Sequence, residues 1–216
     1  MSRPLLLGHR GARGYRAIPE NTLASFDRAL GDGCDGFEFD VRLTRDGAAV
    51  VCHDPQFGGI EIACAEAQQL RELPLLADVL ARYKDTAFLD IELKVAGAEA
   101  ATMDLLRRHK PGRGYVVSSF LPEVLQTIRE GEPSILLGLI CETTKQLEWW
   151  TELPIDYLIP HYSLATSQLV ATVKNEGKKI VVWTVNSTAD MKRFAGLGVD
   201  GIISDHTDVL CKAVAG

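Results

Sequence analysis

Short apolar runs alternate along this chain with longer stretches of helical period, and the alternation continues to the C-terminal end. Extended runs fall at 5–8, 36–41, 87–93, 115–118, 135–139, 157–159, 180–184 and 201–204, eight in all. Amphipathic segments lie between them. Asn21 or Thr22 suits the N-cap of a helix carrying Leu23, Phe26 and Leu30, ended by Gly31 and Gly33. Pro122 suits the first turn of another helix. Eight strand–helix units with short loops predict an α/β fold, a (β/α)8 TIM barrel. A doubly wound open sheet is the alternative, because periodicity does not say whether a sheet closes on itself.

One region breaks the repeat. Thr44-Arg45-Asp46-Gly47 is a turn signal, and 48–52 is a further extended run leading to His53. A hairpin after the second strand is expected, carrying His53-Asp54 above the barrel mouth. Residues 55–72, with Gly58-Gly59 and scattered acids, predict a loop with one helical turn, and helical order resumes over 74–83.

Composition then bounds the class. The 216 residues fit one domain over 1–216, with 55–73 as a short insertion, and 46% hydrophobic with 24% charged residues is ordinary globular usage. A net charge of −6 and the lack of a basic tract argue against a nucleic-acid partner. Five scattered cysteines without CxxC spacing read as reduced thiols. Leu5-Leu6-Leu7 is too short for a signal segment, so a cytoplasmic protein without stable membrane insertion is expected. A homodimer is the default assembly.

Strand geometry gives the charged residues their meaning. Side chains at i and i+2 share a face, so Glu38 and Asp40 point the same way, as do Asp90, Glu92 and Lys94. Phe37, Phe39 and Val41 on the other face pack outward under helices, which turns Glu38 and Asp40 into the barrel. Buried acids need partners. A cation among clustered carboxylates is one answer, and oxygen-only ligation favours Mg²⁺ or Ca²⁺. A structural Glu92–Lys94 ion pair is the other. Asp90, deeper in its strand, is expected to be structural.

His9 ends the first strand beside Arg10, whose planar fork suits phosphate oxygens, with Gly11 allowing a tight turn. His53 is the second histidine. Cleaving a phosphate diester needs one group to take a proton and another to protonate the leaving alkoxide, so the pair points to that chemistry. His161 is a weaker substrate-contact candidate, and His109 and His206 are expected at the surface.

His9-Arg10-Gly11, Pro19-Glu20-Asn21-Thr22, Glu38-Phe39-Asp40-Val41, Thr44-Arg45-Asp46-Gly47 and His53-Asp54 follow in order. Glu92-Leu93-Lys94, Ser118-Ser119-Phe120, Trp183-Thr184-Val185-Asn186 and Gly201-Ile202-Ile203-Ser204-Asp205 come later. In this ordered set the chain resembles the bacterial-type glycerophosphodiester phosphodiesterase family. The resemblance implies a distorted (β/α)8 barrel with a metal on Glu38, Asp40 and Glu92, and His9 and His53 as acid and base. It also implies Arg10 and Lys94 on phosphate oxygens, and Trp183 either near the substrate or simply packed. The reaction implied is cleavage of a glycerophosphodiester to glycerol 3-phosphate and an alcohol, with a divalent cation, Mg²⁺ or Ca²⁺. A barrel that binds without turning over, or one acting on sphingolipid head groups, is the alternative. Family members commonly carry a longer insertion after the His-Asp, and its shortness here raises the expectation of an open mouth admitting lysophospholipid head groups.

Overall fold

In the computed structural model, which describes residues 3–214, eight parallel strands close into a barrel. The strands and helices follow in order as β1 (Leu5–Gly8), α1 (Leu23–Gly31), β2 (Gly36–Leu43), β3 (Ala49–Val51), β4 (Gln56–Phe57), β5 (Ile60–Glu61) and α2 (Leu76–Tyr83). Next come β6 (Phe88–Leu93), α3 (Glu99–Arg108), β7 (Tyr115–Ser119), α4 (Pro122–Gly131), β8 (Leu137–Cys141) and the short α5 (Thr144–Leu147). The last are β9 (Tyr157–Pro160), α6 (Ser167–Asn175), β10 (Lys179–Val182), α7 (Thr188–Leu197), β11 (Gly201–Ser204) and α8 (Thr207–Val214). Closure is explicit in the pairing: β1 is hydrogen-bonded to β11 on one side and to β2 on the other. That excludes the open sheet.

The alternation in β2 does what its sequence requires. Phe37, Phe39 and Val41 are fully buried outside the barrel, and Phe37 stacks on Phe26 of α1 at 4.2 Å between ring centres while Tyr83 of α2 meets it edge-on. Each such ring removes a large apolar area from water, so β2 is clamped in one register and its other face, with Glu38 and Asp40, must look inward. Gly36 lets β2 and β6 approach: a Cβ there would lie 1.8 Å from the Phe88 carbonyl oxygen. That contact fixes Asp40 opposite Glu92 across the two strands.

Three segments differ from expectation. β8 starts two residues later than the 135–139 run, because Ile135 closes a turn onto the Glu132 carbonyl and packs in the outer layer instead of extending. A two-residue shift preserves which face each side chain takes. β10 stops at Val182, with Trp183 continuing only as an isolated bridge to His161. The 55–72 segment is more ordered than a loop. Gly58 and Gly59, both at positive φ, turn a hairpin of β4 and β5, and 3₁₀ turns follow at Ile62–Cys64 and Ala67–Leu70. The expected β2–β3 hairpin is present, with Val41 opposite Val51. Val50, Cys52, Ile62, Ala65 and Leu70 form a small core that anchors the segment bearing His53. No helix among the described residues is long and apolar enough to cross a membrane.

Candidate active site

The C-terminal ends of the strands surround a cavity of 350 Å³ lined by His9, Arg10, Glu38, His53, Asp90, Glu92, Lys94 and Trp183 among others. The catalytic face of a barrel of this kind lies at that end. The side chains arrive from four places in the chain: His9 and Arg10 from the end of β1, Glu38 and Asp40 from β2, Glu92 and Lys94 from the end of β6, and His53 from beyond β3.

Glu38, Asp40 and Glu92 each offer an oxygen within 4.8 Å of the others, and all three are buried. The β1 turn braces them: the Arg10 backbone N–H donates to Glu38 Oε2 at 2.9 Å, with Arg10 at φ 50 and Gly11 at φ 80. Gly11 is required there, since a Cβ would fall 2.4 Å from Ser25 Oγ. Lys94 Nζ lies 2.7 Å from Glu92 and 3.3 Å from Asp40, so the ion pair weighed as a structural alternative exists inside the cavity. The Arg10 guanidinium lies 2.7 Å from Glu20 and 3.4 Å from Asp40.

These contacts do not neutralise the cluster. Burial, then Asp40, Glu92 and Asp90, pushes the Glu38 carboxyl well above the ordinary carboxylate range. Burial and Asp40 push Glu92 up to about 7 against the pull of Lys94. Asp90, fully buried and accepting from Ser118 Oγ at 2.6 Å, is pushed up to about 7 mainly by burial. Asp40 alone stays below its usual value: burial would raise it, but Lys94, Arg10 and Asn21 outweigh burial. Glu38 Oε1 is buried with no hydrogen-bond partner. An unpartnered buried oxygen costs stability unless something positive meets it. Three convergent carboxylates with an orphaned oxygen fit a hard divalent cation.

His9 Nδ1–H donates to Asp205 at 2.7 Å, which leaves Nε2 facing the acids, 3.8 Å from Glu38 Oε2. His53 Nδ1–H donates to Asp54 at 2.8 Å. Burial lowers the His53 pKa, with Arg10 and Lys94 adding to it and Asp54 opposing, so its imidazole is neutral near pH 7. Trp183 is half-buried at the cavity wall, its Nε1–H donating to the Ile159 carbonyl at 2.9 Å. His161 does not line the cavity; its ring abuts Trp183. His206 is exposed and His109 half-buried.

Sequence reasoning missed three supporting residues. Asp205 sits just past β11 and reaches His9 only because β11 pairs with β1. Asn21 was assigned a capping alternative, but Thr22 is the cap, accepting from the Ser25 N–H, while Asn21 at φ 56 donates to Asp40 at 2.7 Å. Glu20 ties Arg10 to Arg13. Asn21 and Glu20 lie in the quoted Pro-Glu-Asn-Thr run, yet nothing local marks them as partners of Asp40 and Arg10.

Comparison with known proteins places the chain. The glycerophosphoryl diester phosphodiesterase family matches residues 9–75 and 65–209. A glycerophosphodiester phosphodiesterase of Caldanaerobacter subterraneus is 30% identical, with 98% of each chain covered. An Oleispira antarctica phosphodiesterase, solved in complex with the product sn-glycerol-3-phosphate, superposes with a TM-score of 0.86 at 26% identity, covering 99% of this chain and 98% of that one. A Thermotoga maritima glycerophosphodiester phosphodiesterase gives 0.83 at 25% identity, covering 98% and 99%. With the fold shared and the family match running along almost its whole length, this chain belongs to the glycerophosphoryl diester phosphodiesterase family.

Proposed function

We propose that this chain hydrolyses glycerophosphodiesters to glycerol 3-phosphate and an alcohol, using His9 and His53 as general acid and base and a divalent cation, Mg²⁺ or Ca²⁺. The observation that carries the reading is convergence: both histidines, Glu38, Glu92 and two cations line one cavity of a size suited to a small diester, with Asp40 packed beside the two glutamates. Glu38, Asp40 and Glu92 would hold the cation, whose chemistry is to polarise the phosphoryl group and neutralise its charge. Arg10 and Lys94 add positive charge beside the phosphoryl oxygens. His53, neutral near pH 7, is free to accept a proton from the attacking oxygen, and His9 exchanges one at Nε2 on the other side. Asp205 and Asp54 fix the tautomer of each ring by occupying Nδ1.

A coupled assay for glycerol 3-phosphate across choline, ethanolamine, inositol and glycerol diesters tests this. Release from at least one is expected, and no release from any contradicts it. A cyclic glycerophosphate intermediate would identify the substrate's 2-hydroxyl as nucleophile, and its absence, water. Lysophospholipid turnover is a second reading, favoured by a 470 Å³ cavity that shares His53 and is bordered by Phe57 and Leu73 of the short insertion. Choline release from lysophosphatidylcholine tests it.

A further inference from the structure

The cavity has two unlike walls. Around the ring the parallel strands run β1, β2, β6, β7, β8, β9, β10, β11, so β8, β9 and β10 stand across from β1, β2 and β6. The first wall carries the proton-transfer, acidic and cationic groups. The opposite wall offers Ile140, Ile159 and Trp183, and one charged lining residue, Glu142, immediately past β8.

Glu142 is exposed, and its backbone N–H is held by Gln146 Oε1 at 3.0 Å while its carboxylate meets no cation among the described residues. Beside this wall stands an aromatic corner. The indole of Trp183 is fixed by its bond to Ile159, and Phe120 meets it edge-to-face at 5.7 Å and 84°. Lys94 Nζ lies 5.6 Å from the Phe120 ring centre, where the two walls meet. With the phosphate of a diester held between Arg10 and Lys94, one of its two organic groups extends toward this corner. An apolar aromatic wall gives a hydroxyl-rich alcohol no partners, whereas a cationic group gains from ring faces and from a carboxylate with no other partner.

We propose that Glu142, with the Trp183–Phe120 corner, selects diesters whose alcohol carries a positive charge, above all a quaternary ammonium. The proposal rests on the phosphodiester reading of the cavity and adds a residue that sets preference without touching the reacting atoms.

Calorimetric binding to the His53→Ala chain, in which hydrolysis is expected to be at least about a hundredfold slower, separates the two claims. Glycerophosphocholine and glycerophosphoglycerol share the phosphate and differ only in the alcohol. The choline diester should bind more tightly. Adding Glu142→Gln should lower the affinity ratio about three- to fivefold, and Glu142→Lys by about tenfold or more. Glu142 is exposed, so both variants should keep the parent's melting temperature. An unchanged ratio in both, or tighter binding of the glycerol diester by the parent, overturns the role of Glu142 even where hydrolysis is intact. Lack of hydrolysis by the unsubstituted chain contradicts the proposed reaction and leaves the ratio as the measure of this inference. No binding of either diester overturns both.

Discussion

The two histidines at the barrel mouth are oriented in opposite ways. The His9 side chain, 11% exposed, is held by Asp205, 16% exposed and 196 residues away along the chain. The His53 side chain is 33% exposed and its partner is the next residue, Asp54, 74% exposed. One ring is aimed by closure of the whole barrel, since the β1–β11 pairing creates its contact; the other is aimed locally, on a segment anchored by a small separate core. A hydrogen bond shielded from water orients its ring more strongly than an exposed one, which competes with solvent. The same proton chemistry is therefore built on a rigid support and a looser one.

The largest effect expected removes either ring. His9→Ala and His53→Ala should each lower turnover on the order of 10²–10⁴-fold with the circular dichroism spectrum unchanged. Rates near the parent's in both would remove the histidines from the chemistry. The comparison itself is sharpened by the orienting acids: Asp205→Asn should cost about a hundredfold in kcat/KM, and Asp54→Asn less than about tenfold. Equal losses would break it.

A subtler effect lies in the pH profile. His53 titrates below the ordinary imidazole value because burial outweighs Asp54, so the acidic limb of kcat/KM should lie below that value. Asp54 raises the His53 pKa, so Asp54→Asn should move the limb to still lower pH; an upward move would contradict the contact.

The mildest effect is on stability. Glu38, Asp90 and Glu92 hold protons in the fold after unfolded carboxylates have lost theirs, with Asp90 and Glu92 titrating at about 7. Without a divalent cation, the contribution of these three carboxyls to stability should therefore be greatest below the unfolded value of about 4 and fall as pH rises to about 7, while Asp40, held below its usual value, contributes in the opposite sense. At pH 8 a hundredfold excess of Mg²⁺ or Ca²⁺ over its Kd should raise the melting temperature by about 5–10 °C, and by less at pH 5, where protons compete for the same oxygens. A melting temperature indifferent to cation at both pH values would contradict the acid cluster as its site.

Legibility in the sequence followed the range of the interactions. The inward face of β2 was readable because Phe37 and Phe39 declare the outward one two residues at a time, and Glu92 and Lys94 follow from the same period in β6. The start of β8 was misplaced because Ile135 is apolar for the outer layer's sake. The small hairpin of β4 and β5 was hidden because strands of two residues have no period to detect. Asp205 and Asn21 escaped as site residues because their partners, His9 and Asp40, are brought to them by closure of the barrel and by the turn after β1, neither of which leaves a local pattern.

In the proposed reaction Glu38, Asp40 and Glu92 would support hydrolysis by holding a divalent cation beside two histidines. Phosphorus NMR on glycerophosphocholine incubated with the protein, with Mg²⁺ or Ca²⁺ and then with EDTA, tests it most directly. The diester resonance should convert to that of glycerol 3-phosphate, stopped by EDTA, restored by excess cation and lost in Glu38→Gln. Conversion that continues at the same rate in EDTA, or in Glu38→Gln, would contradict it.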